Sequence, residues 1–310
     1  MKGVIPETVA IVNPAAGRKH GARVRPRVIA ELQRLFPSLS VVETQGPGDA
    51  TRIAQESLRM KLVIAVGGDG TVREVAAGLV AAKTGAETAP GPQLAVIPIG
   101  SGNDFPRNVG IPADIGEACR VARHGRPRLI DAVRVDVSAV DGERTLFYAN
   151  AAGFGFDAMV VAEARKLTGL RGLPLYATAV YKAVNSFQCP LVRIAADGRV
   201  WEQRVLLVAA ANGKRYGAGM KIAPEAEPDD GLLEVCIIDA VGRFKIMRCL
   251  PRLIAGTHVT MKEVTMLRLR DVVLEFLEPV MAQLDGDVVP IEGLPRFSIQ
   301  VLPRALSILV

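Results

Sequence analysis

The chain has 310 residues, 38 Lys and Arg against 32 Asp and Glu (net charge +6), 49% hydrophobic residues and 5% aromatic ones. That length suffices for about two domains with sizeable cores, the hydrophobic fraction excludes a disordered chain, and the scarcity of aromatics argues against a single-strand nucleic-acid binder built on base stacking. The positive excess points to anionic partners, whether nucleic acid, phosphorylated small molecules or anionic lipid, without separating them.

Residues 8–130 alternate short apolar runs with helical stretches. A strand is expected at 9–12, followed by Asn13-Pro14-Ala15-Ala16-Gly17. There proline fixes φ and glycine opens a turn that holds the Asn13 side chain at the strand end, although an ordinary turn has the same composition. A helix is expected over 22–36, with Val24, Val28, Leu32, Leu35 and Phe36 on one stripe. Further strands are expected at 40–44 and 62–66, with a helix over 50–59 between them.

The third strand runs into Val66-Gly67-Gly68-Asp69-Gly70-Thr71, with Asp69 at the tip and Thr71 opening a helical segment. A strand, a glycine-rich turn and a helix N-terminus together suit phosphate, because backbone N–H groups point outward and the dipole favours anions. Asp69 would handle a metal ion or water beside the phosphates; alternatively it merely caps the helix. A fourth strand at 94–98 ends in Gly100-Ser101-Gly102-Asn103-Asp104-Phe105, where backbone and Ser101 suit phosphate and Asp104 a metal or substrate hydroxyl. The βαβα order predicts an open, mostly parallel sheet, which binds ligands at the carboxyl ends of its strands. Two glycine-rich acidic turns at that edge favour one shared site.

Near residue 130 the texture changes. Strands are expected at 130–138, 144–150, 191–196, 200–211, 232–238, 264–277 and 295–301, and helices at 158–166, 174–186 and 243–255. This predicts an α/β domain over 1–130, which the last ten or so residues can rejoin, and a β-rich, sandwich-like domain over 131–300. The second domain carries Asn150-Ala151-Ala152-Gly153-Phe154-Gly155-Phe156-Asp157-Ala158 and an acidic turn from Pro224 to Leu232. In that turn Asp230 and carbonyls suit a hard cation, or simply a hairpin. Leu284-Asp285-Gly286-Asp287 offers a partly desolvated general base, or a type I′ hairpin.

Other chemistries lack their signatures. There is no Gly-x-x-x-x-Gly-Lys-[Ser/Thr], no dinucleotide fingerprint after the first strand, no serine elbow, and no ligand spacing among His20, His124 and His258. Cys119, Cys189, Cys236 and Cys249 form no C-x-x-C pair, which argues against a disulfide framework or a zinc site. The N-terminus lacks the apolar core of a signal peptide, and no apolar run approaches the ~18 residues of a span. The expectation is a cytoplasmic protein with at most peripheral membrane contact. Residues 242–254 are basic and apolar together, which reads either as a surface for anionic lipid or as a core-packed helix with snorkelling Arg and Lys. Arg165, Lys166 and Arg171 beside Leu167, Leu170 and Leu173 form a competing patch.

In this order the motifs resemble the diacylglycerol kinase catalytic-domain family, which also contains sphingosine and ceramide kinases. The matching pieces are Asn13-Pro14-x-x-Gly17, Gly67 to Thr71, Gly100 to Phe105, Gly155 to Ala158, Asn212-Gly213 to Gly219-Met220, Pro224 to Leu232, and Asp285-Gly286-Asp287. The resemblance implies an N-terminal α/β nucleotide-binding domain and a C-terminal β-sandwich of the NAD kinase/diacylglycerol kinase type. It implies Mg-dependent transfer of the ATP γ-phosphate to a lipid hydroxyl, diacylglycerol-like or sphingoid-like. By position it assigns ATP contacts to Asn13, Thr44, Gly67, Gly68, Asp69, Gly70, Thr71, Val72, Arg73, Gly100, Ser101, Asn103 and Asp104. Asp69 would organise phosphates and the catalytic Mg²⁺, and Asp285 or Asp287 would be the base. A structural Mg²⁺ would be held by Asp230 and backbone oxygens of Glu227 and Leu232.

Two positions depart from the family pattern. Arg73 stands where Asn is usual, and Asp287 stands where the family has Glu, which shortens the reach of the carboxylate by one methylene. The alternatives are a kinase of a soluble acceptor such as NAD and an inactive nucleotide- or lipid-binding regulator. Nucleic-acid binding is not expected, since no recognition motif accompanies the charge. A homodimer is left open.

Overall fold

The computed structural model describes residues 7–83, 91–167, 169–170, 172–217 and 219–310. The chain divides into two compact units, Met1–Ile130 with Arg304–Val310, and Asp131–Pro303.

The first unit runs β1 (Thr8–Val12), α1 (Arg18–Leu35), β2 (Leu39–Glu43), α2 (Asp49–Glu56), β3 (Leu62–Gly67), α3 (Asp69–Lys83), β4 (Gln93–Pro98), α4 (Asp104–Val109) and α5 (Ile115–His124). Its strands are parallel in the order β4-β3-β1-β2, with Thr8 beside Leu39 and Leu62, and Leu62 beside Gln93. The C-terminal stretch adds to the β4 edge, Ile308 lying beside Leu94. β1 and β3 are buried at every position, as their unbroken apolar runs require of a parallel sheet covered on both faces. Val28 and Leu32 of α1 and Ala118, Cys119 and Ala122 of α5 pack on it. Asp114 caps α5 by accepting from Glu117 N at 2.9 Å.

Three features differ from expectation. α1 begins at Arg18 because Gly17, at φ 65°, turns the chain early; a Cβ there would lie 2.1 Å from the Ile99 carbonyl oxygen. α3 begins at Asp69 rather than after Thr71, so Gly68 alone links it to β3. α4 and α5 were not expected: α4 is only six residues long, and α5 carries Ile115, Ala118, Cys119 and Ala122 at helical spacing behind its Asp114 cap.

The second unit holds β5 (Pro127–Ala139), β6 (Gly142–Tyr148), β7 (Ala151–Gly155), α6 (Phe156–Lys166), α7 (Gly172–Ser186), β8 (Leu191–Ala196), β9 (Arg199–Ala211), β10 (Leu233–Asp239), α8 (Arg243–Ala255), β11 (Val264–Leu269), β12 (Asp271–Phe276), β13 (Ala282–Leu284), β14 (Asp287–Val289) and β15 (Arg296–Leu309). β5 begins in the first unit and β15 ends in it.

One layer of the second unit runs β6-β5-β15-β12-β8 and continues into the first half of β9; the other runs β14-β13-β7, the second half of β9, β10 and β11. Between them Phe154, Phe276 and Phe297 meet, with the Phe154 and Phe297 centroids 4.6 Å apart. Residues alternate along β10: Val235 and Ile237 face this core, while Cys236 and Ile238 face the opposite side, where α6, α7 and α8 pack. The run 264–277, expected as one strand, breaks at Arg270, because β11 pairs with β10 in one layer and β12 with β8 and β15 in the other. Among the described residues no helix is long and apolar enough to cross a membrane.

Candidate functional site

In the first unit, four strand ends converge. Asn13 leaves β1, its backbone N–H donating to Val66 O at 3.0 Å; its Nδ2 donates to Thr71 Oγ1 at 2.9 Å, and its Oδ1 accepts from Ala15 N. Thr44, buried at the end of β2, donates from its backbone N to Val12 O at 2.9 Å. Ile99 N donates to Gly67 O at 2.9 Å, joining the turns after β3 and β4.

Those two turns press backbone on backbone. A Cβ on Gly100 would sit 2.5 Å from Gly68 Cα, and one on Gly102 would sit 2.8 Å from Asp69 Oδ2. Asp69 Oδ1 accepts from Phe105 N at 3.2 Å, so the acid of one turn grips the other. Gly70, Thr71, Val72 and Arg73 form the first turn of α3, and Asp69 opens it. Ser101 is exposed between the turns; Asp104 is buried, with Arg107 at 3.9 Å. Thus Asn13, Thr44, the Gly67–Arg73 segment and the Gly100–Asp104 segment share one carboxyl edge. Arg73 lies 3.9 Å from Glu74. Glu74, which the sequence did not single out, accepts from Gly48 N and Ala50 N and so caps α2 from another element.

The donor chemistry here fits a hard cation. Asn103, at φ 56°, buries its Oδ1 with no hydrogen-bond partner among the described residues; Asp104 follows it in sequence, and Asp69 reaches the same turn through Phe105 N. No group of three or more His, Cys, Asp or Glu residues able to hold a metal is found among the described residues. Mg²⁺ carried on a nucleotide does not need one, since substrate phosphates supply most of its ligands beyond one or two carboxylates.

In the second unit, motifs distant in sequence form one hydrogen-bonded cluster. Asp285 and Gly286, at φ 47° and 87°, make the two-residue link between β13 and β14. The buried Asp285 carboxylate accepts three backbone N–H groups, from Ala149 (3.1 Å), Asn150 (3.1 Å) and Ala151 (2.7 Å). Asn212 Nδ2 donates to Ala149 O and Asp131 O, and Asn150 Nδ2 to Arg215 O. Asp285 is therefore spent on shaping this loop, whereas Asp287 is half-buried and ion-paired to Arg165 of α6, which also donates to Gly286 O. Arg165 is thereby drawn out of the basic patch suggested for it. Lys166 pairs with Glu163, and Arg171 lies outside the described residues.

Asp157 sits behind the hairpin. Its Oδ2 accepts from Tyr216 OH at 3.0 Å and Gln283 Nε2 at 3.2 Å, and Gln283 Oε1 accepts from Gly286 N at 2.7 Å. A Cβ on Gly153 would fall 1.5 Å from Asp157 Oδ2, which explains a glycine inside β7. Burial pushes the Asp157 carboxyl up to about 6, opposed by its hydrogen bonds to Gln283 and Tyr216. Burial also raises Tyr216 well above the usual phenol value. Tyr216 and Gln283 were not predicted as site residues; their partners lie 59 and 126 positions away. Asp157 borders a narrow apolar crevice of about 30 Å³, walled by α6, α7, α8, β9 and β10 through residues such as Tyr176, Val180, Leu206, Ile238, Leu250 and Leu253.

The turn expected to hold a structural cation is differently occupied. Asp230 Oδ1 accepts from Leu232 N at 2.9 Å and its Oδ2 from Arg268 at 2.5 Å, while Glu227 pairs with Lys214 at 2.7 Å. Asp230 thus carries a basic partner in Arg268, while the ligands expected from Glu227 and Leu232 are backbone oxygens, which the Glu227–Lys214 pair leaves untouched.

A family model described as the diacylglycerol kinase catalytic domain matches residues 7–135, and one described as the YegS C-terminal NAD kinase beta sandwich-like domain matches residues 150–310. The chain is 30% identical over 306 residues to a Pectobacterium atrosepticum protein named "Probable lipid kinase YegS-like", covering 97% of this chain and 95% of that protein. It is 28% identical over 281 residues to a protein of Bacillus subtilis named "Diacylglycerol kinase", covering 89% and 88%. Among solved structures, a diacylglycerol kinase from Bacillus anthracis superposes with a TM-score of 0.70 at 23% identity, covering 99% and 98%. Yeast NADH kinase superposes with a TM-score of 0.52 at 12% identity, covering 97% and 82%, and shares the fold alone.

Proposed function

Because this chain belongs to the diacylglycerol kinase catalytic-domain family, whose full-length relatives here carry lipid kinase names, we propose that it transfers the γ-phosphate of ATP, bound with Mg²⁺, to the hydroxyl of a diacylglycerol-like lipid. The observation that carries the choice of a lipid acceptor is the crevice of the second unit. Its lining is almost wholly apolar, and its one acid, Asp157, is wired through Gln283 to the hairpin that bears Asp287. The crevice is narrow, so an acyl chain entering it has to part these apolar side chains, and the hydroxyl at its polar end needs a base nearby.

In this reading the carboxyl edge of the first unit holds the nucleotide. The Gly67-Gly68 and Gly100–Gly102 backbones admit phosphate closely because no side chain intervenes, and the first turn of α3 directs N–H groups and its dipole toward it. Asp69 and Asp104 would hold the Mg²⁺ that accompanies the nucleotide, and Arg73 adds a cation on the same turn. When bound, Mg²⁺ and ATP supply the phosphoryl group and the charge neutralisation that dominate this chemistry. Asp287 takes the proton of the lipid hydroxyl, and Arg165 fixes its carboxylate; Asp285 builds the loop and takes no proton.

The test is an Asp69→Ala variant assayed for transfer of labelled phosphate from ATP into lipid. It should fold like the parent and lose transfer; retained turnover contradicts the reading.

A further inference from the structure

We propose that α8 is a membrane-docking element that lays its outer face on anionic bilayer lipid. This goes beyond the phosphotransfer chemistry and rests on the lipid-acceptor reading only for its purpose, not for its physics.

The helix has two faces of different character. Ile246, Cys249, Leu250 and Leu253 turn inward and wall the apolar crevice. On the outer face Phe244 is 92% exposed, followed by exposed Met247 and Ile254. One exposed apolar side chain is ordinary, but three on one helix face form a patch that a partner can cover. Basic residues interleave with these apolar ones. From 240 to 262 the sequence holds Arg243, Lys245, Arg248, Arg252 and Lys262 and no Asp or Glu. Lys245 is paired to Glu263, and Arg243 donates to Asn185 O; Arg248 and Arg252, both exposed, make no ion pair among the described residues.

A cationic face carrying a protruding aromatic complements an anionic headgroup layer above an apolar one. A protein partner is less well matched, because a long acid-free cationic run selects a polyanion and the apolar anchors favour one with an oily interior. The competing patch on α6 has its charges satisfied internally, Arg165 by Asp287 and Lys166 by Glu163. The same helix that meets the bilayer would thus be a wall of the crevice, so a lipid leaving the membrane meets apolar surface directly behind it.

The test is co-sedimentation of the full chain with phosphatidylcholine vesicles, with and without about a third phosphatidylglycerol, comparing the parent with R248E/R252E and with F244S. The parent should bind only the anionic vesicles. Reversing two surface-facing arginines should weaken binding at least about 30-fold, and F244S about tenfold. Both variants should keep the parent's Tm and its turnover on a short-chain, water-dispersed diacylglycerol. Parent-like binding by R248E/R252E, or no binding of anionic vesicles by the parent, overturns the proposal. So does a parent that is dimeric, with F244S monomeric and vesicle binding unchanged, since the face would then be a contact between copies. A parent that binds vesicles without phosphorylating any lipid leaves docking standing and refutes the kinase reading, so the two failures are distinguishable.

Discussion

Removing the Asp285 carboxylate should cost stability, whereas removing that of Asp287 should cost catalysis. Asp285 accepts the backbone N–H groups of Ala149, Asn150 and Ala151 in a buried loop. Asp285→Ala leaves these three donors without that acceptor, at about 1–3 kcal/mol each for an unsatisfied buried group. Even the lower end, about 3 kcal/mol, is a large part of the ~5–15 kcal/mol that holds a typical domain together. Asp285→Asn keeps an oxygen for Asn150 and Ala151, which share Oδ1, but turns an amide N–H₂ toward Ala149, so about 1–3 kcal/mol is lost. The backbone at φ 47° suits Asn as well as Asp, so Asp285→Asn adds no strain, whereas Ala at this φ adds about 1 kcal/mol to its cost. Asp287→Asn breaks a half-exposed ion pair with Arg165, worth about 0–1 kcal/mol, yet should lower kcat by roughly 10²–10⁴. Urea unfolding at fixed pH, read alongside turnover, separates the two. Stability should decrease from the parent to Asp285→Asn to Asp285→Ala, while Asp287→Asn stays near the parent in stability but is inactive. An Asp285→Ala variant within about 0.5 kcal/mol of the parent, or an active Asp287→Asn variant, refutes the assignment.

Three other outcomes are expected. The Asp157 carboxyl stands at about 6 instead of 3.8, so its folded-state value is raised; its contribution is fully present below pH 3.8 and is lost as pH rises through about 6. At about 1.4 kcal/mol per pH unit that loss is about 3 kcal/mol. The stability of the parent relative to Asp157→Asn should therefore fall between pH 4 and 7 in denaturant titrations, and a pH-independent difference contradicts it. With Arg268 on Asp230, Mg²⁺ without nucleotide should leave the parent's Tm unchanged, whereas Arg268→Ala should gain Mg²⁺-dependent stabilisation; a parent stabilised by several degrees would show a cation site at that turn. Gly100→Ala forces a Cβ to 2.5 Å from Gly68 Cα and should weaken nucleotide binding at least about tenfold in calorimetry, since backbone must move; unchanged affinity would place the phosphates elsewhere.

The alternation of apolar runs and periodic helices made the parallel sheet of the first unit legible, because β1, β3 and β4 are buried runs bounded by Gly, Pro and Asn. The turns after those strands were legible for the same reason, since glycine at a strand end beside an acid has few structural uses. β7 was not legible: Ala-Ala-Gly-Phe-Gly lacks β-branched residues, and its Gly153 exists to make room for Asp157, a contact no local window reveals. The division of labour between Asp285 and Asp287 was equally hidden, because Asp285 answers to backbone donors 134 to 136 positions away. At the acidic turn the composition suited a cation, and only the structure placed Arg268, 38 positions on, against Asp230. On α8 the mixed basic and apolar sequence fitted two descriptions; the core-packed one holds for the inward face, and docking is proposed for the outer one.

The most direct measurement is transfer from γ-labelled ATP with Mg²⁺ into mixed micelles holding diacylglycerol or a sphingoid base, with NAD offered in parallel in the aqueous phase, for the parent and Asp287→Asn. Label in the organic phase from the parent, and from Asp287→Asn at no more than about a hundredth of that rate, is the predicted result. Label confined to NAD, or no transfer to any acceptor while ATP still binds, would contradict the account.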